Sequence, residues 1–243
     1  MSEGIKELVF MNNAKENAGI ITKGFLKSIL ASTPVGATAV EVYNELQAKQ
    51  VKRKIERLEE FYNLLDERIC WVEDLVNKDF VSKDDFQDVF EEATRYVVLE
   101  RQSKKRELYK NILANSIIAK ECDYDKTERY FRLLDNLSDI ELQVLAVLEN
   151  PSDFNKGHGM IIQDPVSNYY QSAWGNYRAD GVLTQLLGIK IDDAIEAVTV
   201  LFSNGLIEEK MLERKMEGNM NPVHVLDNLL TRKGRDFVKF LKG

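Results

Sequence analysis

From Val51 onward, apolar residues fall in alternating steps of four and three: Val51, Ile55, Leu58, Tyr62, Leu65, Ile69, Val72 and Val76. Steps of that size return to one side of a 3.6-residue period, so the spacing predicts a long helix, about residues 37–78, with one packing stripe. Lys52, Arg53, Lys54, Glu56, Arg57, Glu59 and Glu60 fill the positions between, with Lys52 four before Glu56 and Arg57 three before Glu60. Opposite charges at these offsets support a solvated helix face, which is the expected role of the four bases in preference to phosphate or lipid contact.

A second helical region opens at Ser82, where Asp85 sits three residues later as a substitute capping box, and runs through Phe86, Val89, Phe90, Ala93, Tyr96 and Val97. After the charged stretch 100–107 the apolar spacing resumes at Leu108, Ile112, Leu113, Ile117 and Ile118, as a continuation or kinked partner of the same helix. A third helix is predicted from Lys126 to Leu137. Residues 1–136 then read as an antiparallel helical bundle with short loops.

Residues 17–40 differ in kind. They hold Lys23 and Lys27 and no acidic residue, with apolar arms around Ser32-Thr-Pro-Val-Gly36. The expected role is a buried hairpin of the bundle. The alternative is membrane contact on activation through Phe25, Leu26, Ile29 and Leu30. Neither arm approaches the ~20 apolar residues of a spanning helix, whereas an interfacial amphipathic helix is allowed.

Residues 137–243 carry a different order of signals. Ser138 and Glu141 have capping-box spacing and open a helix that ends before Pro151. Met160-Ile-Ile162 is a candidate first strand, and Asp164-Pro165 a cap followed by proline at a first helical position. Val182–Leu187 is a helix stopped at Gly188, and Ile191–Asn204 a helix closed by a left-handed cap at Asn204-Gly205. A ribbon follows, Leu206–Met216 and Val223–Leu229 around a turn at 217–222, and a last helix starts at Thr231. This order predicts a winged-helix-like domain with a small β-ribbon, so the whole chain is expected to be mainly α.

Charge changes what that fold implies. The 243 residues carry 33 Lys and Arg against 40 Asp and Glu, a net charge of −7, and the pI is near 5.1. Nucleic-acid binding relies on concentrated positive charge that releases phosphate counterions. The helix placed where a recognition helix would enter a groove carries Asp192, Asp193 and Glu196 and no Lys or Arg, which is repulsive to phosphate. A small backbone-binding patch is left to Lys210, Arg214 and Lys215 on the ribbon and Arg232, Lys233 and Arg235 on the last helix.

An insertion at 152–179 concentrates aromatics. Tyr169, Tyr170, Trp174 and Tyr177 with Arg178 form a candidate partner or ligand surface, since aromatics beside arginine anchor interfaces and stack on bases. The competing role is a helical stripe covering the end of the core.

Catalytic chemistry finds no footing. There is no phosphate-binding loop ending in Gly-Lys-Ser/Thr, no dinucleotide fingerprint and no nucleophile elbow. Asp123, Asp125 and Glu128 lack the glycine and distal glutamate of a calcium loop, so a helix start is the better account. Cys70 and Cys122, with His158 and His224, stand at no short ligand spacing, so no metal is expected. Without a secretory signal pattern the two thiols are expected to be reduced, in a cytoplasmic protein that could sit peripherally at the inner membrane. No cofactor is expected.

Thr33-Pro-Val-Gly36, Lys52-Arg-Lys-Ile-Glu-Arg-Leu58, Asn111-Ile-Leu-Ala-Asn115, Leu133–Leu142 and the final Leu230-Thr-Arg-Lys-Gly-Arg-Asp-Phe237 occur in an order that resembles poorly characterised bacterial proteins grouped near the abortive-infection alpha family. The resemblance spans most of the chain and carries no catalytic residue onto it. It implies a phage-defence or mobile-element setting. The expected function is a non-enzymatic interaction module or adaptor with a protein partner, a second copy included. The alternatives are a membrane-perturbing effector using 17–40 and a winged-helix transcriptional regulator.

Overall fold

A computed structural model of the chain describes residues 52–71, 76–77, 84–118, 123–159, 162, 177–208, 214–216 and 221–242. The hairpin 17–40 with Phe25, Leu26, Ile29 and Leu30 lies outside the described residues, as do Tyr169, Tyr170, Trp174, Lys210, the ribbon turn 217–220 and the predicted long helix before residue 52. The described part is mainly helical. Two compact units are present: residues 1–134 together with 240–243, and residues 135–239.

In the first unit, α1 (Lys52–Trp71), α2 (Asp84–Leu99) and α3 (Ser103–Ile118) pack against one another, and α4 (Tyr124–Asn136) follows. The predicted stripe of α1 is its packing face: Leu58, Tyr62, Leu65 and Ile69 are buried. Phe61, outside that stripe, is buried as well and widens the face. Tyr62 stacks on Phe90 of α2 with ring centroids 5.7 Å apart, and its hydroxyl lies 3.3 Å from Thr94 Oγ1. Aromatic contacts from Tyr96 and Tyr109 to Phe131 bring α2, α3 and α4 together.

Of the two arrangements the spacing allows, a continuation or a kinked partner, the chain adopts two helices: the first stops at Leu99 and the next starts at Ser103. Lys105 and Arg106 are buried there at 8% and 7% exposure. Arg106 pairs with Glu60 and donates to the carbonyls of Glu100 and Arg101, while Arg57 donates to the carbonyls of Val98 and Leu99. Arg57 and Glu60 are thus not members of a freely solvated face. Arg57 and Arg106 satisfy carbonyls at and just after the end of α2, where the last carbonyls of a helix have no partner inside it, and Glu60 holds Arg106 in place.

The last four residues of the chain belong to the first unit. Asn111 Nδ2 donates to Leu241 O at 2.8 Å. Asn115 Nδ2 donates to Phe240 O at 3.0 Å and to Lys242 O at 2.8 Å. Spaced one helical turn apart on α3, the two asparagines receive the carbonyls that close the chain. Phe240 meets Tyr130 edge-on and lies under Lys126 Nζ.

In the second unit, α5 (Asp139–Glu149) starts at the expected capping box, with the Glu141 carboxylate accepting from the Ser138 N–H. Pro151 both ends α5 and opens α6 (Pro151–Gly157), a short helix absent from the sequence reading; Asn150 caps it by accepting from the Asp153 N–H at 3.1 Å. Asn155 then exchanges two hydrogen bonds with the backbone of Ile162, a bend at that residue. Next come β1 (Tyr177–Arg178), α7 (Ala179–Leu187), stopped at Gly188, and α8 (Ile191–Ser203). After Gly205, whose φ of 68° suits a residue without Cβ, come β2 (Lys215–Met216), a 3₁₀ turn (Pro222–Leu226) and α9 (Arg232–Leu241).

Strand pairing among the described residues is small. β1 runs antiparallel to β2, Tyr177 opposite Met216, and Ile207 bridges Leu230. The expected second arm of the ribbon, Val223–Leu229, is corrected: its first half is the 3₁₀ turn. Pro222 cannot donate to a ladder and sits well at a first helical position, and Asn221 Oδ1 caps the turn by accepting from Val223 N–H at 3.0 Å.

Candidate functional site

α8 is the element on which the functional question turns. Its backbone enters from an extended Lys190, and Asp192 and Asp193 fill the first turn, where negative charge complements the helix dipole. Ala194, Ala197, Val198 and Leu201 are buried, and the helix packs on α5 and α7. Successive residues rotate by about 100°, so these four define one face.

The helix has more apolar residues than that face can hold. Ile191, Ile195 and Phe202 are exposed at 43%, 40% and 43%. Spaced by four and seven, they fall within a sector of roughly 40°, beside the buried face. Asp192, Glu196 and Thr199, all exposed, border the stripe on its far side. Among the described residues neither Asp192 nor Glu196 has an ion-pair partner. The surface therefore presents an apolar ridge about three turns long with an acidic border.

Half of the basic residues proposed for nucleic-acid backbone contact hydrogen-bond to carbonyls of the chain itself. Lys233 Nζ donates to Asn204 O at 2.6 Å. Arg235 donates to Leu230 O and Arg214 to Asp227 O. Three of the six thereby serve as internal caps on carbonyls near helix and turn ends. Arg232 is exposed. Lys215 is described in its backbone, as a member of β2, and Lys210 lies outside the described residues.

Of the aromatic surface, Tyr177 is described only in its backbone, as part of β1. Arg178 directs its guanidinium at Asp180, with Nε–Oδ1 at 3.1 Å and Nη2–Oδ2 at 2.8 Å. Asp180 Oδ1 also accepts from the Gly181 N–H at 2.7 Å. The hydrogen bonds from Arg178 hold the Asp180 carboxyl below the usual aspartate range. Arg178 thus fastens the start of α7.

The titratable groups considered for chemistry have local partners. His158 stacks on Phe154 at 4.0 Å and lies 2.8 Å from its carbonyl. His224 Nδ1 is 2.7 Å from Asp227 Oδ2. Asp123 caps α4 by accepting from Lys126 N–H at 3.1 Å. Among the described residues no group of three or more His, Cys, Asp or Glu could hold a metal ion, and no helix is long and apolar enough to cross a membrane. A carboxylate cluster joins α2 and α4, where partial burial and then Glu128 raise the pKa of Glu92.

The apolar ridge was missed from sequence because periodicity counts apolar positions without saying which find a neighbour. A usable signal was present: Ile191, Ala194, Ile195, Ala197, Val198, Val200, Leu201 and Phe202 extend around far more of the helix than one packing stripe.

Comparison with family models, with curated proteins and with solved structures finds no match to this chain.

Proposed function

We propose that this chain is a non-enzymatic protein-interaction module whose second unit is winged-helix-like, with a shortened ribbon, and works through the outer face of α8. The order α5, β1, α7, α8, the Ile207–Leu230 bridge and α9 supports the fold assignment. The setting is that implied by the motif order, a cytoplasmic component of bacterial defence.

One observation carries the functional reading: the helix in the groove-reading position exposes Ile191, Ile195 and Phe202 beside Asp192 and Glu196. Base and phosphate recognition uses Arg, Lys, Asn and Gln at such positions, and acidic side chains there oppose it. Exposed apolar side chains grouped on one helix face are instead the composition of a protein contact. The engagement of Lys233, Arg235 and Arg214 with backbone carbonyls weakens the regulator alternative further.

Titration of the full chain onto a fluorescent DNA duplex at low salt tests the choice. The expected result is no saturable isotherm. A salt-dependent isotherm that flattens in Arg232→Glu with Lys233→Glu would overturn the reading in favour of a nucleic-acid partner.

A further inference from the structure

We infer that the ridge Ile191–Ile195–Phe202 docks an amphipathic helical segment of a partner protein, whose apolar side chains cover the ridge and whose lysines or arginines face Asp192 and Glu196. The inference rests on the protein-contact reading above and adds the chemistry of the partner.

Dimensions argue for a segment rather than a second globular surface. From Ile191 to Phe202 the helix rises roughly 16 Å, the length of a few turns of a partner helix. Three side chains at this exposure offer on the order of 200 Å² of apolar surface, well short of the about 800 Å² per partner of a standard stable interface. An apolar helix face laid along another with anchors at spacings of three and four is a known economy of contact for short segments.

Charge selects the occupant. Asp192 and Glu196 are one turn apart on the exposed border of the ridge, unpaired among the described residues. A second copy laid on the same face would bring its own two carboxylates toward these, which is unfavourable at close range. An anionic lipid surface or a nucleic acid meets the same repulsion. A partner helix with basic residues beside its apolar stripe meets attraction, and its charges set orientation and encounter rate. The first-turn position of Asp192 is favourable to the helix itself; Glu196, a turn further in, has no such local role.

Fluorescence anisotropy with a labelled Leu/Lys amphipathic peptide of roughly 15 residues, long enough to hold a helix on binding, tests this, with a Leu/Glu peptide of the same apolar pattern as control. The full chain is expected to bind the Leu/Lys peptide and not the Leu/Glu one, with affinity falling as salt rises. Ile195→Ser with Phe202→Ser should weaken binding at least about tenfold while leaving thermal unfolding in place, because both side chains are exposed. Asp192→Asn with Glu196→Gln should weaken binding and remove most of its salt dependence.

Equal affinity of the wild type and the Ile195→Ser, Phe202→Ser variant overturns the inference, as does equal binding of the two peptides. If the Leu/Lys peptide fails to bind while the chain also leaves duplex DNA unbound, the partner chemistry proposed here falls and the protein-contact reading stands. If duplex DNA binds with the salt dependence described above, both fall.

Discussion

A β-carbon added to Gly234 would stand 2.0 Å from the carbonyl oxygen of Leu206. The approach is this close because the first turn of α9 closes over the end of α8. Thr231 N–H donates to Leu206 O at 3.0 Å, Thr231 Oγ1 to Gly205 O at 2.7 Å, and Lys233 Nζ to Asn204 O at 2.6 Å. Three successive carbonyls are satisfied by two residues of the Leu230-Thr-Arg-Lys-Gly234 run. Gly234→Ala is therefore expected to destabilise the second unit by at least about 1–3 kcal/mol, the range for forced overpacking. Gly157→Ala, with nothing within 4 Å of the added carbon, should change stability little. Urea midpoints of the two variants check this, and equal midpoints would refute it.

In the first unit the asparagine pair of α3 holds the end of the chain. Asn115→Ala removes two hydrogen bonds to the carbonyls of Phe240 and Lys242, and Asn111→Ala removes one to Leu241. At about 1 kcal/mol for each net hydrogen bond, Asn115→Ala should cost roughly twice as much. Asn111 Oδ1 is buried without a partner, which reduces its net value further. Equilibrium unfolding of the two variants should reproduce that order; a larger loss at Asn111 would contradict it.

The Arg178–Asp180 pair predicts an acid limb for the second unit. Because the folded-state pKa of Asp180 is lowered, chiefly by its hydrogen bonds to Arg178, its stabilisation is present above the ordinary aspartate value of 3.8 and is lost as pH falls through the folded value. Asp180→Asn should lower the melting temperature at pH 7, and the gap to wild type should close on acidification below that ordinary value. A gap that stays constant across the titration would show that Asp180 acts by packing alone.

Glu92 has the opposite sign. Burial first, then Glu128, raises its pKa above 4.5, against the opposing pull of Arg132 and a hydrogen bond to Tyr96. The folded chain binds this proton more tightly than the unfolded chain, so the favourable contribution is full below 4.5 and lost as pH rises through the raised value. Glu92→Gln, which keeps an acceptor for Tyr96, should raise the melting temperature at neutral pH and match wild type once the solution is well acidified. A lower melting temperature at pH 7 would contradict this.

Element boundaries with a chemical marker were legible in the sequence. Ser138 with Glu141 marks the start of α5, Gly188 the end of α7, Gly205 the exit from α8 and Thr231 the start of α9. Elements without an apolar period were not. α6 is seven residues long and has its signal in Asn150 and Pro151, read only as a stop. The break after Leu99 was half legible, as one of two readings, because Lys105 and Arg106 look like solvent residues in a sequence, yet they are buried by partners more than forty positions away or in the preceding loop. The ridge on α8 was half legible. Its acidic border is visible in the spacing of Asp192 and Glu196, whereas exposure of Ile195 and Phe202 depends on which faces α5 and α7 cover.

The outer face of α8 as a protein contact is tested most directly by placing a photo-cross-linking residue at Ile195 in the chain, irradiating cells, and identifying the adducts. The same residue at exposed Gln185 of α7 serves as reference. A discrete protein adduct is expected from position 195 and not from 185, and it should disappear when Phe202→Ser is added. Adducts to nucleic acid from position 195, or the same adducts from both positions, would contradict the account.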